Sequence, residues 1–168
     1  MVGLAYRLAL FIMWSTFLAD GPNRYCATMV IPDLTQAVSV LDLAGSVIRS
    51  GIKQLVALGG PDVAQVLAYD LAHAASGLET ARSMIDYGAK GETEGLLTCA
   101  FVADVVHDLA VRLIGREELW GVADGSLSGA SSFLATYRDP EFLATLATSE
   151  GPRHLDSRSE ERRVGKEC

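Results

Sequence analysis

The chain has 168 residues, of which 49% are hydrophobic, and its formal net charge is −7. This length suits one domain with a substantial core and is too short for two domains of ordinary size. The negative charge and the scattered Lys and Arg residues argue against nucleic acid as a partner. The spacing of Cys26, Cys99 and Cys168 suggests neither a disulfide scaffold nor a zinc knuckle, so we expect a reducing compartment and a cytoplasmic protein.

The N-terminal segment, residues 1–28, contains an apolar run from Leu8 to Leu18. This run is too short to span a bilayer core, which needs about 20 residues, so we expect no membrane partner. It has the length of a signal-peptide core, although Phe17 to Asp20 is a poor match to a cleavage site. A genuine N-terminal helix is a further alternative. We favour a start of translation at Met29, with the preceding residues as upstream sequence read in frame.

The first long helix is predicted from Leu34 to the Gly59-Gly60 pair. Asp33 and Gln36 form a capping-box pattern at its start, and the two glycines indicate its end. Apolar or small residues recur with alternating spacings of four and three, which keeps one face of a helix apolar. The predicted face consists of Leu34, Val38, Leu41, Gly45, Ile48, Ile52 and Leu55.

The second and third helices are predicted to form an antiparallel hairpin. The second begins at Pro61-Asp62, with Gln65 at the capping-box position, and ends at Gly88. The third runs from about Glu92 to Gly115, and the short connection between the two helices forces them to be antiparallel. The predicted apolar stripes are Leu67, Leu71, Ala74, Leu78, Ala81 and Ile85 on the second helix, and Cys99, Val102, Val106, Leu109 and Leu113 on the third.

The pattern is weaker after Trp120, where a serine- and glycine-rich stretch precedes a short apolar face of Phe133, Leu134 and Tyr137. Asp139-Pro140 then predicts the start of a last helix, because Asp is a good cap and Pro is favoured at the first helical position. No alternating strand pattern occurs. The predicted fold class is therefore all-α, an antiparallel helical bundle of three long helices plus one or two short C-terminal helices.

Two Asp-x-x-His steps are the most suggestive chemical pattern: Asp70 with His73, and Asp104 with His107. An antiparallel hairpin brings the two histidines to the same height, a geometry in which helical bundles build metal sites. The alternative is a polar contact between helices or two solvated edges, since further carboxylates and a second shell are lacking. We therefore assign no catalytic, cofactor-binding or metal-ligating residue. The run Arg116-Glu117-Glu118 is interpreted as a solvated helix end.

The C-terminal segment, residues 158–168, reads RSEERRVGKEC and resembles the start of a sequencing-library adapter translated in frame. Such a segment is excluded from reasoning about the fold. The expected organisation is an upstream or signal-like segment at 1–28, a helical bundle domain at 29–150, a linker to a dehydrogenase body at 151–157 and an adapter-derived scar at 158–168.

Four segments carry a resemblance to a known family: YDLAHAA (69–75), DYGAKG (86–91), FVAD (101–104) and GREELWG (115–121). Together with the later YRDPEFLATLATSEGPRHLD, they resemble the N-terminal helical extension of bacterial acyl-CoA dehydrogenases. Within that family the chain is most similar to the (2S)-methylsuccinyl-CoA dehydrogenases. The resemblance covers about Leu34 to Asp156.

The resemblance implies a truncated, non-catalytic domain of a flavoenzyme that oxidises a short branched acyl-CoA to the 2,3-enoyl-CoA. FAD, the acyl-CoA substrate and electron-transfer flavoprotein would bind a dehydrogenase body that follows GPRHLD, and the parent is expected to be a homo-oligomer. The catalytic base belongs to that body and is not carried over onto Glu79 or Glu92. The alternative is a stand-alone helical-bundle module for interaction or dimerisation, without enzymatic activity.

Overall fold

Three long helices pack side by side, and three short helices follow them. The computed structural model describes residues 30–148, and the predictions made for residues 1–29 and 149–168 lie outside the described residues. The helices are α1 (Leu34–Ala57), α2 (Gln65–Gly88), α3 (Glu92–Leu113), α4 (Glu117–Trp120), α5 (Ser131–Tyr137), which follows a 3₁₀ turn at Ser128–Ala130, and α6 (Pro140–Thr148). Residues 30–148 contain no strand, and the predicted all-α bundle is confirmed. Within the same residues, no helix combines the length and apolar character needed to cross a bilayer.

The start of α1 is capped as predicted, but only half of the capping box forms. Oδ1 of Asp33 accepts a hydrogen bond of 2.8 Å from the backbone N–H of Gln36. The reciprocal bond from Gln36 is replaced, because its side chain donates instead to Ser132 Oγ at 3.3 Å. The backbone N–H of Asp33 donates to the hydroxyl of Tyr137 at 2.9 Å. The first turn of α1 is therefore held by α5 as well as by its own cap.

Two residues of the stripe predicted for α1 are exposed, and two others, Leu34 and Leu55, are half-buried. Val38 and Ile52 are 41% and 48% exposed, so their assignment to the core was wrong. The face that is buried consists largely of small and β-branched residues: Ala37, Val40, Leu41, Ala44, Gly45, Val47, Ile48 and Gly51. Gly51 is needed for close packing, since a Cβ there would lie 2.7 Å from Leu71 and 2.9 Å from Trp120.

The start of α2 differs from the predicted one. The helix begins at Gln65, its cap residue Ala64 makes no side-chain cap bond, and Asp62 lies in the preceding turn. Gly59 and Gly60 have φ values of 100° and 93°. Their left-handed conformation, which favours glycine, lets the chain form a further turn before the helix starts.

The antiparallel hairpin of α2 and α3 is confirmed by three contacts at regular intervals. Thr98 Oγ1 donates to the carbonyl of Met84 at 3.1 Å, a Cβ on Gly77 would lie 3.3 Å from Val105, and Asp70 binds Arg112. Each step of seven residues back along α2 is matched by seven residues forward along α3. The predicted stripes of both helices are buried, apart from Ile85, which is half-buried.

The C-terminal helices close the remaining side of the core. Phe133 and Tyr137 of α5 are buried, as is Trp120 of α4. Oδ1 of Asp139 accepts two hydrogen bonds of 3.0 Å from the backbone N–H groups of Glu141 and Phe142, so the predicted cap of the last helix is confirmed. α6 packs on α3 and α5 through Phe142, whose ring centroid lies 5.6 Å from that of Tyr137.

Candidate functional site

A buried carboxylate, Asp70, lies at the centre of the largest charged cluster that we find in residues 30–148. Its side chain faces α3 and residues 114–116, which connect α3 to α4. The residue is only 7% exposed. Oδ1 accepts a hydrogen bond of 3.0 Å from Nη1 of Arg112. Oδ2 lies 2.7 Å from Nη2 of Arg116, in an ion pair whose angles are not those of a hydrogen bond. We call Asp70, Arg112, Arg116 and Asp108 the Asp70 cluster.

Asp108 completes this cluster on the solvent side. Its Oδ2 accepts a hydrogen bond of 2.9 Å from Nε of Arg112, one turn further along α3. This bond raises the pKa of the Arg112 guanidinium above its usual range; partial burial opposes the shift, and Asp70 adds to it. Two cations and two carboxylates offset one another here, so the cluster joins α2, α3 and the α4 connection without leaving an excess charge.

The position of Arg116 corrects the sequence interpretation. The run Arg116-Glu117-Glu118 was predicted to be a solvated helix end, and Glu118 is indeed exposed. Arg116, however, turns inward to Asp70 just before α4 begins at Glu117. The buried Asp70 selects this orientation, because a carboxylate removed from water requires a charged partner. The sequence contained one signal for this pairing: Asp70 lies on the core-facing side of α2, beside Leu67 and Leu71, where a carboxylate needs a charged partner.

The two Asp-x-x-His steps do not converge on a common point. Asp70 is bound by two arginines, whereas Asp104 is exposed and pairs with Nη2 of Arg138 at 3.6 Å. His73 is exposed and its ring contacts that of Tyr69 in a tilted arrangement, with 4.3 Å between ring centroids, and His107 is half-buried. The described part of the chain contains no group of three or more His, Cys, Asp or Glu side chains placed to hold a metal ion.

A second buried polar contact surrounds the hydroxyl of Tyr137. This group accepts from the backbone N–H of Asp33 and donates to the carbonyl of Ile31 at 2.8 Å. Burial raises the pKa of Tyr137 to about 12. Burial also raises the pKa of the Cys99 thiol, which is fully enclosed. The tyrosine thus fixes the entry into α1, and the thiol is held in its protonated, unreactive form.

Two aromatic residues near helix ends, Trp120 and Tyr87, have different environments. Trp120 is completely buried against Gly51 of α1 and belongs to the core. Its indole N–H has no hydrogen-bond partner among the described residues. Tyr87 is half-buried near the end of α2, and Nζ of Lys90 lies 5.6 Å from its ring centroid. Of these two residues, only Tyr87 has ring surface accessible from outside the bundle.

An apolar surface remains exposed at the beginning of α2 and in the turn before it, which contains Val63. Val63 is 72% exposed, and Val66 and Tyr69 are each 64% exposed. We call these three residues the α2 stripe. Their spacing of three residues places Val66 and Tyr69 on neighbouring turns of one helix side. Sequence analysis missed this feature, because it followed only the residues that point into the core.

The comparisons with known proteins return no relative. No family model, no curated protein and no solved structure matches this chain.

Proposed function

We propose that this chain is the N-terminal, non-catalytic helical domain of an FAD-dependent acyl-CoA dehydrogenase, which oxidises a short branched acyl-CoA to the 2,3-enoyl-CoA. The observation that carries this proposal is the resemblance of four ordered segments: YDLAHAA, DYGAKG, FVAD and GREELWG. They lie on α2, at the hairpin connection, on α3 and across α4, so they span most of the bundle.

All of these segments take part in the packing of the bundle. Asp70 of YDLAHAA binds Arg116 of GREELWG, although the two residues are far apart in the sequence. Val102 and Ala103 of FVAD are completely buried. In DYGAKG, a Cβ on Gly88 would lie 2.8 Å from Thr98 Oγ1. The segments thus contribute residues that assemble the bundle, which suits a domain whose role is structural.

The proposal assigns no flavin site to the bundle itself. Three buried polar side chains are engaged within the bundle: Asp70 with two arginines, Thr98 with the carbonyl of Met84, and Tyr137 with backbone groups of the residues just before α1. Under the proposal, FAD, acyl-CoA and electron-transfer flavoprotein bind a separate dehydrogenase body, and the parent is a cytoplasmic homo-oligomer. The bundle then contributes packing surface to that body or to a second subunit.

Flavin binding tests the proposal directly. The 168-residue chain and the longer product of the continued reading frame should be purified side by side and examined for flavin absorption and acyl-CoA oxidation. We expect both in the longer protein only. A version of the longer protein that lacks residues 30–148 is the matched control, and it should retain bound flavin if the bundle is non-catalytic. A flavin-free longer protein, or flavin bound by the 168-residue chain, contradicts the proposal.

The α2 stripe favours a second candidate, a stand-alone module for interaction or dimerisation. Exposed Val66 and Tyr69 side chains offer an apolar centre of the kind that protein interfaces use. Sedimentation velocity over a range of protein concentrations distinguishes this function. A dimer that Tyr69→Asp dissociates supports the module, with Val38→Asp on α1 as the control for an exposed apolar residue elsewhere. A monomer at all concentrations excludes self-association.

A further inference from the structure

We draw no further inference here: the strongest candidate, the exposed apolar stripe of Val63, Val66 and Tyr69 at the start of α2, has nothing in the described structure that shows what covers it.

Discussion

The substitution Asp70→Asn should destabilise the bundle far more than any change of an exposed acid. Two unit charges about 4 Å apart near a protein surface attract by about 4 kcal/mol before solvation is counted. Removal of one member of a fully buried pair typically costs about 3–5 kcal/mol. The Arg112 and Arg116 side chains are 24% and 34% exposed, so water can solvate their charges in the variant and reduce this cost. Arg112 also retains its ion pair with Asp108. We therefore expect a loss of about 2–3 kcal/mol.

Asp104→Asn is the matched control for this experiment. Asp104 is 75% exposed and lies 3.6 Å from Arg138, so its loss should cost at most about 0.5 kcal/mol. Urea unfolding followed by circular dichroism gives the free energy of unfolding of each variant. A double-mutant cycle with Arg116→Gln then isolates the coupling across the 2.7 Å pair. Equal losses for Asp70→Asn and Asp104→Asn would refute the burial of the Asp70 carboxylate in solution.

Three further predictions concern other parts of the bundle. Gly51→Ala should lower the free energy of unfolding by about 1–2 kcal/mol, because the new methyl group overpacks the core. Gly45→Ala should raise it by up to about 1 kcal/mol, because the atom nearest to the new Cβ is the end of the flexible Arg82 side chain. Equal free energies for the two variants in urea unfolding would contradict this. Because burial raises the pKa of Tyr137 to about 12, the folded state holds this proton more tightly than the unfolded state does. The contribution of this proton to the free energy of unfolding is complete below about pH 10 and is lost between about pH 10 and 12. Tyr137→Phe should remove this part of the pH dependence of the free energy of unfolding. Zinc and chelators should leave the melting temperature of the wild type and of His73→Ala unchanged. A saturable rise of the melting temperature with zinc, abolished by His73→Ala and by His107→Ala, would restore the metal hypothesis.

The hairpin was predictable because its sequence signals are local and agree with one another. The stripes from Leu67 to Ala81 and from Cys99 to Leu113 are long, regular and apolar, and the short connection after Gly88 leaves no room for another arrangement. The same holds for Asp139, whose side chain caps the residues next to it in sequence. In each case the deciding interaction lies within one helix or between adjacent helices.

Most of the errors arose where residues distant in the sequence decide the outcome; the start of α2 is the exception, since it depends on the neighbouring Gly59 and Gly60. Gln36 was expected to bond back to its own helix start but reaches Ser132 of α5, which only the tertiary fold brings near. Asp62 was expected to cap α2, yet the two preceding glycines allow another turn first. Val38 and Ile52 satisfy a four-and-three spacing, but neighbouring helices pack closely on small residues beside them. The pairing of Asp70 with Arg116 likewise could not be predicted from the sequence, because only the tertiary fold brings these two residues together.

Reading the source DNA past the codon for Ser157 tests whether this bundle is the first domain of an acyl-CoA dehydrogenase, as we propose. We expect the reading frame to continue into several hundred residues of a flavin-binding dehydrogenase body. A frame that instead encodes RSEERRVGKEC and then stops would contradict this proposal, and the α2 stripe would become the first surface to examine for a partner.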